Sequence, residues 1–168
     1  MSNKKTPPIV SFVAASSNSG KTTLIEKIVV ILKARGLRVA VIKDARGGFE
    51  LDRPGKDSWR FKQAGADTVV LAGAGEIAIM KTIDPRPALS ELARSITDVD
   101  VVITEGFRNE AQNKIEVFRH QVSGEYPRCL NDPSFLALVS DTPFEVTIPC
   151  FDLNDAEGVA DFVQSFPA

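Results

Sequence analysis

The chain is poor in the residues that build disulfide frameworks and metal centres. Its 168 residues include two cysteines and a single histidine. Cys129 and Cys150 have no second Cys or His at the spacing of metal ligands. Isolated cysteines of this kind are usually small buried hydrophobes in a reducing compartment. The sequence therefore argues against a disulfide-stapled secreted domain and against the metal cargo site of a metallochaperone GTPase.

An excess of charge of one sign and long apolar runs are also lacking. The 20 Lys and Arg residues nearly balance 22 Asp and Glu residues, for a net charge of −2, so the composition favours neither nucleic acid nor an anionic membrane as a partner. The polar segment 1–8 is not followed by the apolar region of a signal peptide, and the apolar run 9–15 is too short to span a membrane. We expect a cytoplasmic protein with a disordered or flexible N-terminus over residues 1–8.

The most informative segment is residues 15–22, with the sequence Ala-Ser-Ser-Asn-Ser-Gly-Lys-Thr. It fits the phosphate-loop (Walker A) pattern G-x-x-x-x-G-K-[ST] at Gly20, Lys21 and Thr22, with Ala15 where the first glycine usually stands. In such loops backbone N–H groups surround the phosphates, the lysine reaches the β- and γ-phosphates, and the hydroxyl ligates Mg²⁺. The pattern predicts a nucleoside triphosphate site. The predicted phosphate ligands are Ser17, Asn18, Ser19, Gly20, Lys21, Thr22 and Thr23.

Apolar strands alternate with helical segments, which is typical of a parallel sheet covered by helices. Predicted strands cover 9–14, 37–43, 68–72, 77–80, 99–104, 114–119 and 135–140. Predicted helices cover 23–35, 58–64 and 87–96, with a last helix capped by Asn154 or Asp155 and running to Phe166. We expect one P-loop nucleotide-binding domain, residues 1–168, of the three-layer α/β class, with a mostly parallel sheet flanked by helices and a β-hairpin extension. The alternating pattern of 114–119 predicts a strand with one wet face.

A magnesium nucleotide also needs a carboxylate, which P-loop proteins place at the end of a hydrophobic strand. Glu105 follows the apolar strand 99–104, at the sheet edge where ligands bind. We predict a catalytic role for Glu105 with Lys21, and a metal-binding role for Glu105 with Thr22. Asp44, at the end of the second strand, is a further metal candidate, although a turn explains it nearly as well.

Base specificity is weakly marked. The chain has no Asn-Lys-x-Asp run of the kind that binds guanine in common GTPases. Asp141, which follows the strand 135–140, could accept hydrogen bonds from the N1–H and N2–H₂ groups of guanine. A turn into Thr142-Pro143 explains this aspartate equally well.

The connection over residues 44–62 is long and basic. It could clamp phosphates or an anionic substrate, or it could be an ordinary solvated surface. A small-molecule kinase is therefore an alternative function, because kinases close basic lids over phosphates, although no acceptor-site base is evident. The lid candidates are Arg46, Arg53, Arg60 and Arg108.

Several segments together give the chain a resemblance to a known family. They are 18–23 (Asn-Ser-Gly-Lys-Thr-Thr), 41–43, 52–58, 64–66, 105–107 (Glu-Gly-Phe) and 114–117. In these segments the chain resembles the MobB family of molybdopterin-guanine dinucleotide biosynthesis adapter proteins. The run Pro-Gly-Lys-Asp-Ser at 54–58 is uncommon among P-loop proteins and makes the resemblance specific.

The resemblance implies a GTP-binding protein that uses Mg²⁺, forms a homodimer and has weak intrinsic GTPase activity. It implies a role in assisting a MobA-like guanylyltransferase, which joins GMP from GTP to molybdopterin in molybdenum cofactor biosynthesis. Residues 20–23 would hold the phosphates and Mg²⁺, and Glu105 would serve the metal. Family members commonly carry histidines just after the second strand, whereas this chain has Lys-Asp-Ala-Arg-Gly-Gly at 43–48.

Overall fold

The computed structural model describes residues 6–167 and contains two β-sheets. The strands are β1 (Ile9–Val13), β2 (Val39–Lys43), β3 (Thr68–Ala72), β4 (Ile77–Lys81), β5 (Val101–Glu105), β6 (Lys114–Phe118), β7 (Phe135–Ser140) and β8 (Cys150–Asp152). Six of them form a parallel sheet in the order β2-β5-β1-β6-β7-β8, and β3 pairs with β4 in an antiparallel hairpin. The α/β class, the mostly parallel sheet and the hairpin are as predicted.

Five α-helices accompany the strands among the described residues. They are α1 (Lys21–Ala34), α2 (Asp57–Gln63), α3 (Leu89–Ser95), α4 (His120–Ser123) and α5 (Ala156–Gln164), and a 3₁₀ turn covers Arg128–Leu130. The side chain of Asp155 caps α5 by accepting a hydrogen bond from the Gly158 N–H at 2.9 Å, one of the two caps predicted. The helix predicted over 58–64 begins one residue earlier, because Asp57 is the first helical residue of α2 and Lys56 precedes it. None of the helices in residues 6–167 is long and apolar enough to cross a membrane.

The parallel arrangement brings the carboxyl ends of all six strands to one edge of the sheet. β1 lies in the middle, with β5 on one side and β6 on the other. Phe12 of β1 is in register with Glu105 of β5, and Lys43 of β2 is in register with the same glutamate. The residues that follow β1, β2, β5 and β6 therefore meet at this edge, where open parallel sheets bind their ligands.

Apolar side chains cover both faces of the parallel sheet. On one face α1 and α5 bury Ile28, Leu32 and Val159 against the strands, in a cluster that includes Phe12. The apolar residues of α1 recur every three or four positions, so they form a stripe facing the sheet. On the other face α3 buries Leu89 and neighbouring apolar residues. Each fully buried side chain of this size contributes about 1.5–3 kcal/mol to stability.

The chain separates into two compact units. One unit holds the chain up to Asp44 and from Leu89 onward, and includes the parallel sheet. The other, Ala45–Ala88, holds α2 and the hairpin of β3 and β4. Within this second unit Val69 and Met80 face one another across the hairpin and are buried. The single domain over residues 1–168 stays a prediction.

The structure corrects the prediction of a wet face on β6. This strand lies inside the parallel sheet, between β1 and β7, and four of its five residues are buried. Glu116, which the alternating pattern places on the solvent-exposed face, is 1% exposed. Its carboxylate instead accepts the backbone N–H groups of Arg128 and Cys129, at 2.9 and 2.8 Å. A charged residue therefore satisfies its hydrogen bonds inside the protein, which local sequence alternation cannot indicate.

Two further segments differ from the expectation. Strand β8 was not predicted, because its three residues follow a stretch with two prolines and are only partly buried. The predicted flexible N-terminus lies outside the described residues over 1–5. Of its remaining residues, Pro8 accepts a hydrogen bond from the Val102 N–H at 2.9 Å.

Candidate functional site

The predicted phosphate loop, residues 15–22, leads from β1 into α1 at the carboxyl edge of the sheet. Its positive φ angles fall at Asn18 (61°) and Gly20 (90°) and not at Ala15. An alanine is therefore tolerated at the first loop position, because the backbone there avoids the left-handed region. Gly20, in contrast, does not tolerate a larger residue. A Cβ on Gly20 would be strained by the positive φ and would lie 3.2 Å from Nη2 of Arg119.

The loop leaves the N-terminus of α1 open. No side chain caps this helix, whose Leu24 N–H donates to the Gly20 carbonyl oxygen at 2.9 Å. The first N–H groups of an uncapped helix carry partial positive charge and can bind an anion. The side chain of Lys21 folds back over the loop, and its Nζ donates to Ser16 O and Ser19 Oγ, both at 3.2 Å.

Lys21 lies in a partly desolvated site with charged neighbours of both signs. Burial is the main cause that lowers the pKa of Lys21 below its usual value, and the cations of Arg108 and Lys43 act in the same direction. Glu105 opposes them. An incoming phosphate would favour the charged form of the lysine, because it would bring negative charge next to the partly buried Nζ.

Thr22 and Glu105 come together as predicted for a metal site. The Thr22 hydroxyl donates to Oε1 of Glu105 at 3.0 Å. The other carboxylate oxygen, Oε2, lies 3.4 Å from Nζ of Lys43. The side chain of Glu105 is 15% exposed, so its charge is compensated in a partly desolvated place.

These residues line one cleft of ≈ 580 Å³, a volume within the usual range of small-molecule sites. Its lining residues are Ser17, Asn18, Ser19, Gly20, Lys21, Thr22, Thr23, Lys43, Glu105 and Arg119. The cleft thus contains every residue predicted to bind phosphate. Its oxygen ligands suit a magnesium nucleotide, because Mg²⁺ usually binds one or two protein oxygens and completes its coordination with phosphate oxygens and water. Within the described residues no group of three or more His, Cys, Asp or Glu could hold a metal ion by itself.

Asp44, the further metal candidate, does not line this cleft. Its Oδ2 accepts the Phe107 N–H at 3.2 Å, and its own N–H donates to the Glu105 carbonyl oxygen at 2.9 Å. A Cβ on Gly106 would lie 2.8 Å from the Cβ of Asp44, so this position, which has a φ of 94°, requires glycine. Asp44 therefore supports the backbone that follows Glu105, and its metal role stays a prediction.

Asp141, the predicted guanine ligand, also lies outside the cleft lining. It follows β7, and its Oδ1 accepts the His120 N–H at 2.9 Å and lies 3.4 Å from the Thr142 hydroxyl. The aspartate thus joins the carboxyl ends of β6 and β7. Its role in base recognition stays a prediction.

The guanidinium of Arg108 is hydrogen-bonded to the start of the phosphate loop. Its Nη2 donates to the carbonyl oxygens of Ala14 and Ala15, at 2.6 and 3.1 Å. Burial is the main cause that lowers its pKa, with the nearby cation of Arg128 in the same direction. This arginine supports the base of the loop and is not the lid residue that the kinase alternative predicted.

The sequence that builds this cleft also matches a known protein family. Residues 9–141 match the family described as Molybdopterin guanine dinucleotide synthesis protein B, or MobB. The chain belongs to the MobB family. It is 35% identical to a "Molybdopterin-guanine dinucleotide biosynthesis adapter protein" of Escherichia coli K12, over 97% of this chain and 95% of that protein. It is 38% identical to a Haemophilus influenzae protein of the same name, over 92% of this chain and 86% of that protein.

The fold is also that of a solved MobB structure. A crystal structure of molybdopterin-guanine biosynthesis protein B superimposes with a TM-score of 0.74 at 32% identity, covering 94% of this chain and 98% of that one. The resemblance carried by the sequence segments is therefore confirmed over most of the chain.

Two lining residues of this MobB-family cleft, Lys43 and Arg119, were not predicted from the sequence. Lys43 ends β2 and Arg119 follows β6 directly, so both stand at carboxyl ends of strands next to β1 or β5. Their position at these strand ends could have identified them. Recognising it requires the order of the strands in the sheet, which the order of the elements along the chain does not give.

Proposed function

We propose that this MobB-family protein is a GTP-binding adapter that assists a MobA-like guanylyltransferase in attaching GMP to molybdopterin during molybdenum cofactor biosynthesis. The observation that carries the nucleotide part is the convergence of Lys21, Thr22 and Glu105 in one cleft. The adapter part is supported by the names of the relatives that match nearly the whole chain.

The proposed roles follow from the donors in the cleft. Backbone N–H groups of the loop and of α1, with Nζ of Lys21, would bind phosphate oxygens. Thr22 and Glu105 would hold Mg²⁺. The ion would neutralise charge that develops on the phosphates, and the protein would supply their position.

A weak Mg²⁺-dependent GTPase fits the same cleft. Glu105 is the only carboxylate among its lining residues, and Lys43 and Thr22 already contact it. No second acid in the lining would orient an attacking water, so hydrolysis would be slow once the metal occupies Glu105. A slow GTPase suits a protein that presents or releases a nucleotide for a partner.

We also propose a homodimer in the cytoplasm. The hairpin of the second unit carries exposed apolar side chains at Val70, Leu71, Ile77 and Ile79, between 46% and 69% exposed. Apolar surface of this kind marks interaction sites in soluble proteins. The free thiols of Cys129 and Cys150 fit a reducing compartment. Light scattering should give a particle of twice the 18.2 kDa chain mass.

Reconstitution tests the adapter role. A purified MobA-like guanylyltransferase is supplied with GTP, Mg²⁺ and molybdopterin, and the yield of the dinucleotide product is measured with and without this protein. We expect a higher yield with the wild-type chain, and no gain with Lys21→Ala. Lys27→Ala, which removes an exposed lysine of α1, is the matched control and should act like wild type. An equal gain with Lys21→Ala would contradict the coupling of nucleotide binding to the adapter role.

A further inference from the structure

Arg119 has an unpaired guanidinium over the phosphate loop. Within residues 6–167 its side chain makes no hydrogen bond or ion pair, and its Nε is buried without a partner. Its Nη2 lies 3.2 Å from the place a Cβ on Gly20 would occupy. Burying a charged donor without an acceptor costs stability, so such a group calls for a ligand.

The other two cations of the cleft already have oxygen acceptors. Nζ of Lys21 donates to loop oxygens at 3.2 Å, and Nζ of Lys43 lies 3.4 Å from Glu105. Arg119 is the one basic lining residue whose charge has no acceptor among the described residues. A guanidinium offers a planar fork of donors that matches phosphate oxygens.

The backbone around Arg119 is fixed from two sides. The carbonyl oxygen of Val122, in the short helix that follows, accepts the hydroxyl of Ser16 from the phosphate loop at 2.7 Å. The N–H of His120 donates to Asp141 Oδ1 at 2.9 Å. The N–H of Arg119 itself donates to Ser123 Oγ at 3.2 Å. The turn is therefore held to the loop and to β7, so the backbone that carries Arg119 needs no rearrangement on binding.

Arg119 stands on the side of β1 opposite to the metal candidates. It follows β6, whereas Glu105 ends β5, and β1 separates these two strands. Phosphates near Mg²⁺ and Lys21 are the β- and γ-phosphates. A cation on the far side, against Gly20, is positioned for the α- and β-phosphates.

We propose that Arg119 binds the α/β-diphosphate part of the nucleotide, so that it serves diphosphates and triphosphates equally and independently of the γ-phosphate. This inference rests on the proposed nucleotide binding and adds a ligand to the phosphate-loop residues. Arg119 is a nucleotide-binding residue in this account and performs no chemistry.

Calorimetric titration with GDP, GTP, ADP and ATP tests the proposal, each nucleotide in the presence of Mg²⁺. Arg119→Met keeps most of the aliphatic stem and removes the charge. We expect it to raise the dissociation constants of GDP and GTP by about 10- to 100-fold, with their ratio unchanged, because charge-assisted hydrogen bonds are lost. Arg94→Met, on an exposed residue of α3, makes the same change in net charge and should bind like wild type.

Thermal unfolding separates binding from a structural role. Without nucleotide, Arg119→Met should melt at or above the wild-type temperature, because an uncompensated cation has been removed. With saturating GDP the wild type should gain stability and the variant should gain much less at the same concentration. A lower melting temperature of the nucleotide-free variant would overturn the proposal in favour of a structural role.

Other outcomes are equally decisive. Unchanged affinity of Arg119→Met would overturn the inference while leaving the proposed function in place, and a loss confined to GTP would overturn the α/β assignment. If the wild type binds none of the four nucleotides, the proposed function fails first. If it binds adenine nucleotides and Arg119→Met loses them, guanine preference fails and the role of Arg119 stands.

Discussion

The hydroxyl of Thr22 donates a hydrogen bond of 3.0 Å to Glu105, a residue 83 positions further along the chain. The two residues meet because β1 and β5 are parallel neighbours, so the loop after β1 and the last residue of β5 share one edge of the sheet. A hydroxyl and a carboxylate at this distance can ligate one Mg²⁺ ion together. In the proposed function this pair would hold the metal, and Lys21 and Arg119 would bind the phosphates.

Replacing Glu105 by Gln should reduce Mg²⁺-dependent hydrolysis more than nucleotide binding. The amide keeps an acceptor for Thr22 but loses the charge that would hold the metal and balance Lys43. We expect GTP hydrolysis in single-turnover assays to fall by about 100-fold. GTP affinity should change by less, because the loop and Lys21 keep their contacts. Glu26→Gln, on the exposed face of α1, should match wild type. Equal hydrolysis by Glu105→Gln and wild type would rule out the metal role.

Asp141→Asn tests base recognition. An aspartate accepts from the N1–H and N2–H₂ of guanine, whereas an asparagine can donate to the O2 of xanthine. We therefore expect the variant to lose GTP affinity and to gain affinity for XTP, by about tenfold in each direction. A competition assay with a fluorescent nucleotide measures both. If GTP and XTP affinities both stay at the wild-type values, Asp141 serves only to hold the His120 turn.

Glu116→Ala should destabilise the fold without touching the cleft. The carboxylate accepts two backbone N–H groups inside the protein, and alanine would leave both donors unpaired. We expect the free energy of unfolding to fall by about 2–3 kcal/mol in urea titrations. Glu116→Gln should cost less, because its amide oxygen still accepts one of these bonds. Glu157→Ala, at the exposed start of α5, is the comparison for loss of a surface carboxylate. A loss no larger than that of Glu157→Ala would contradict this account.

The two thiols should react at very different rates. Burial, reinforced by the neighbouring Glu116, raises the pKa of Cys129 to about 12. Burial also raises the pKa of Cys150, but this residue is exposed. Because the thiolate is the nucleophile, a disulfide reagent at pH 8 should modify Cys150 first. The rate at Cys129 should rise about tenfold per pH unit between pH 8 and 10, well below its pKa. A fast phase that survives in Cys150→Ser would contradict this order.

Much of the fold was predictable because its signals are local. Short apolar runs predict the buried strands β1, β5 and β7. The phosphate loop is likewise predicted from a few adjacent residues, Gly20-Lys21-Thr22. Glu105 was found from its place at the end of an apolar strand. The Thr22–Glu105 contact then followed from the known behaviour of parallel sheets.

The remaining features depend on neighbours that a sequence does not name. Glu116 alternates with apolar residues like a surface glutamate, yet the 3₁₀ turn at Arg128–Leu130 provides its partners. Arg119 gains its place over the phosphate loop only because β6 pairs with β1. The hydrogen bond from the His120 N–H to Asp141 has the same origin, since β6 and β7 end side by side. Long-range pairing decides each of these cases.

Calorimetric titration with GTP and with ATP, each with Mg²⁺, would show whether the cleft binds GTP. We expect saturable binding of GTP with a clear preference over ATP. Lys21→Ala should lose the heat of binding, while its thermal unfolding remains like that of wild type. No binding of GTP, or equal binding by Lys21→Ala, would contradict the assignment of the cleft. A preference for ATP would contradict the guanine assignment and favour the small-molecule kinase.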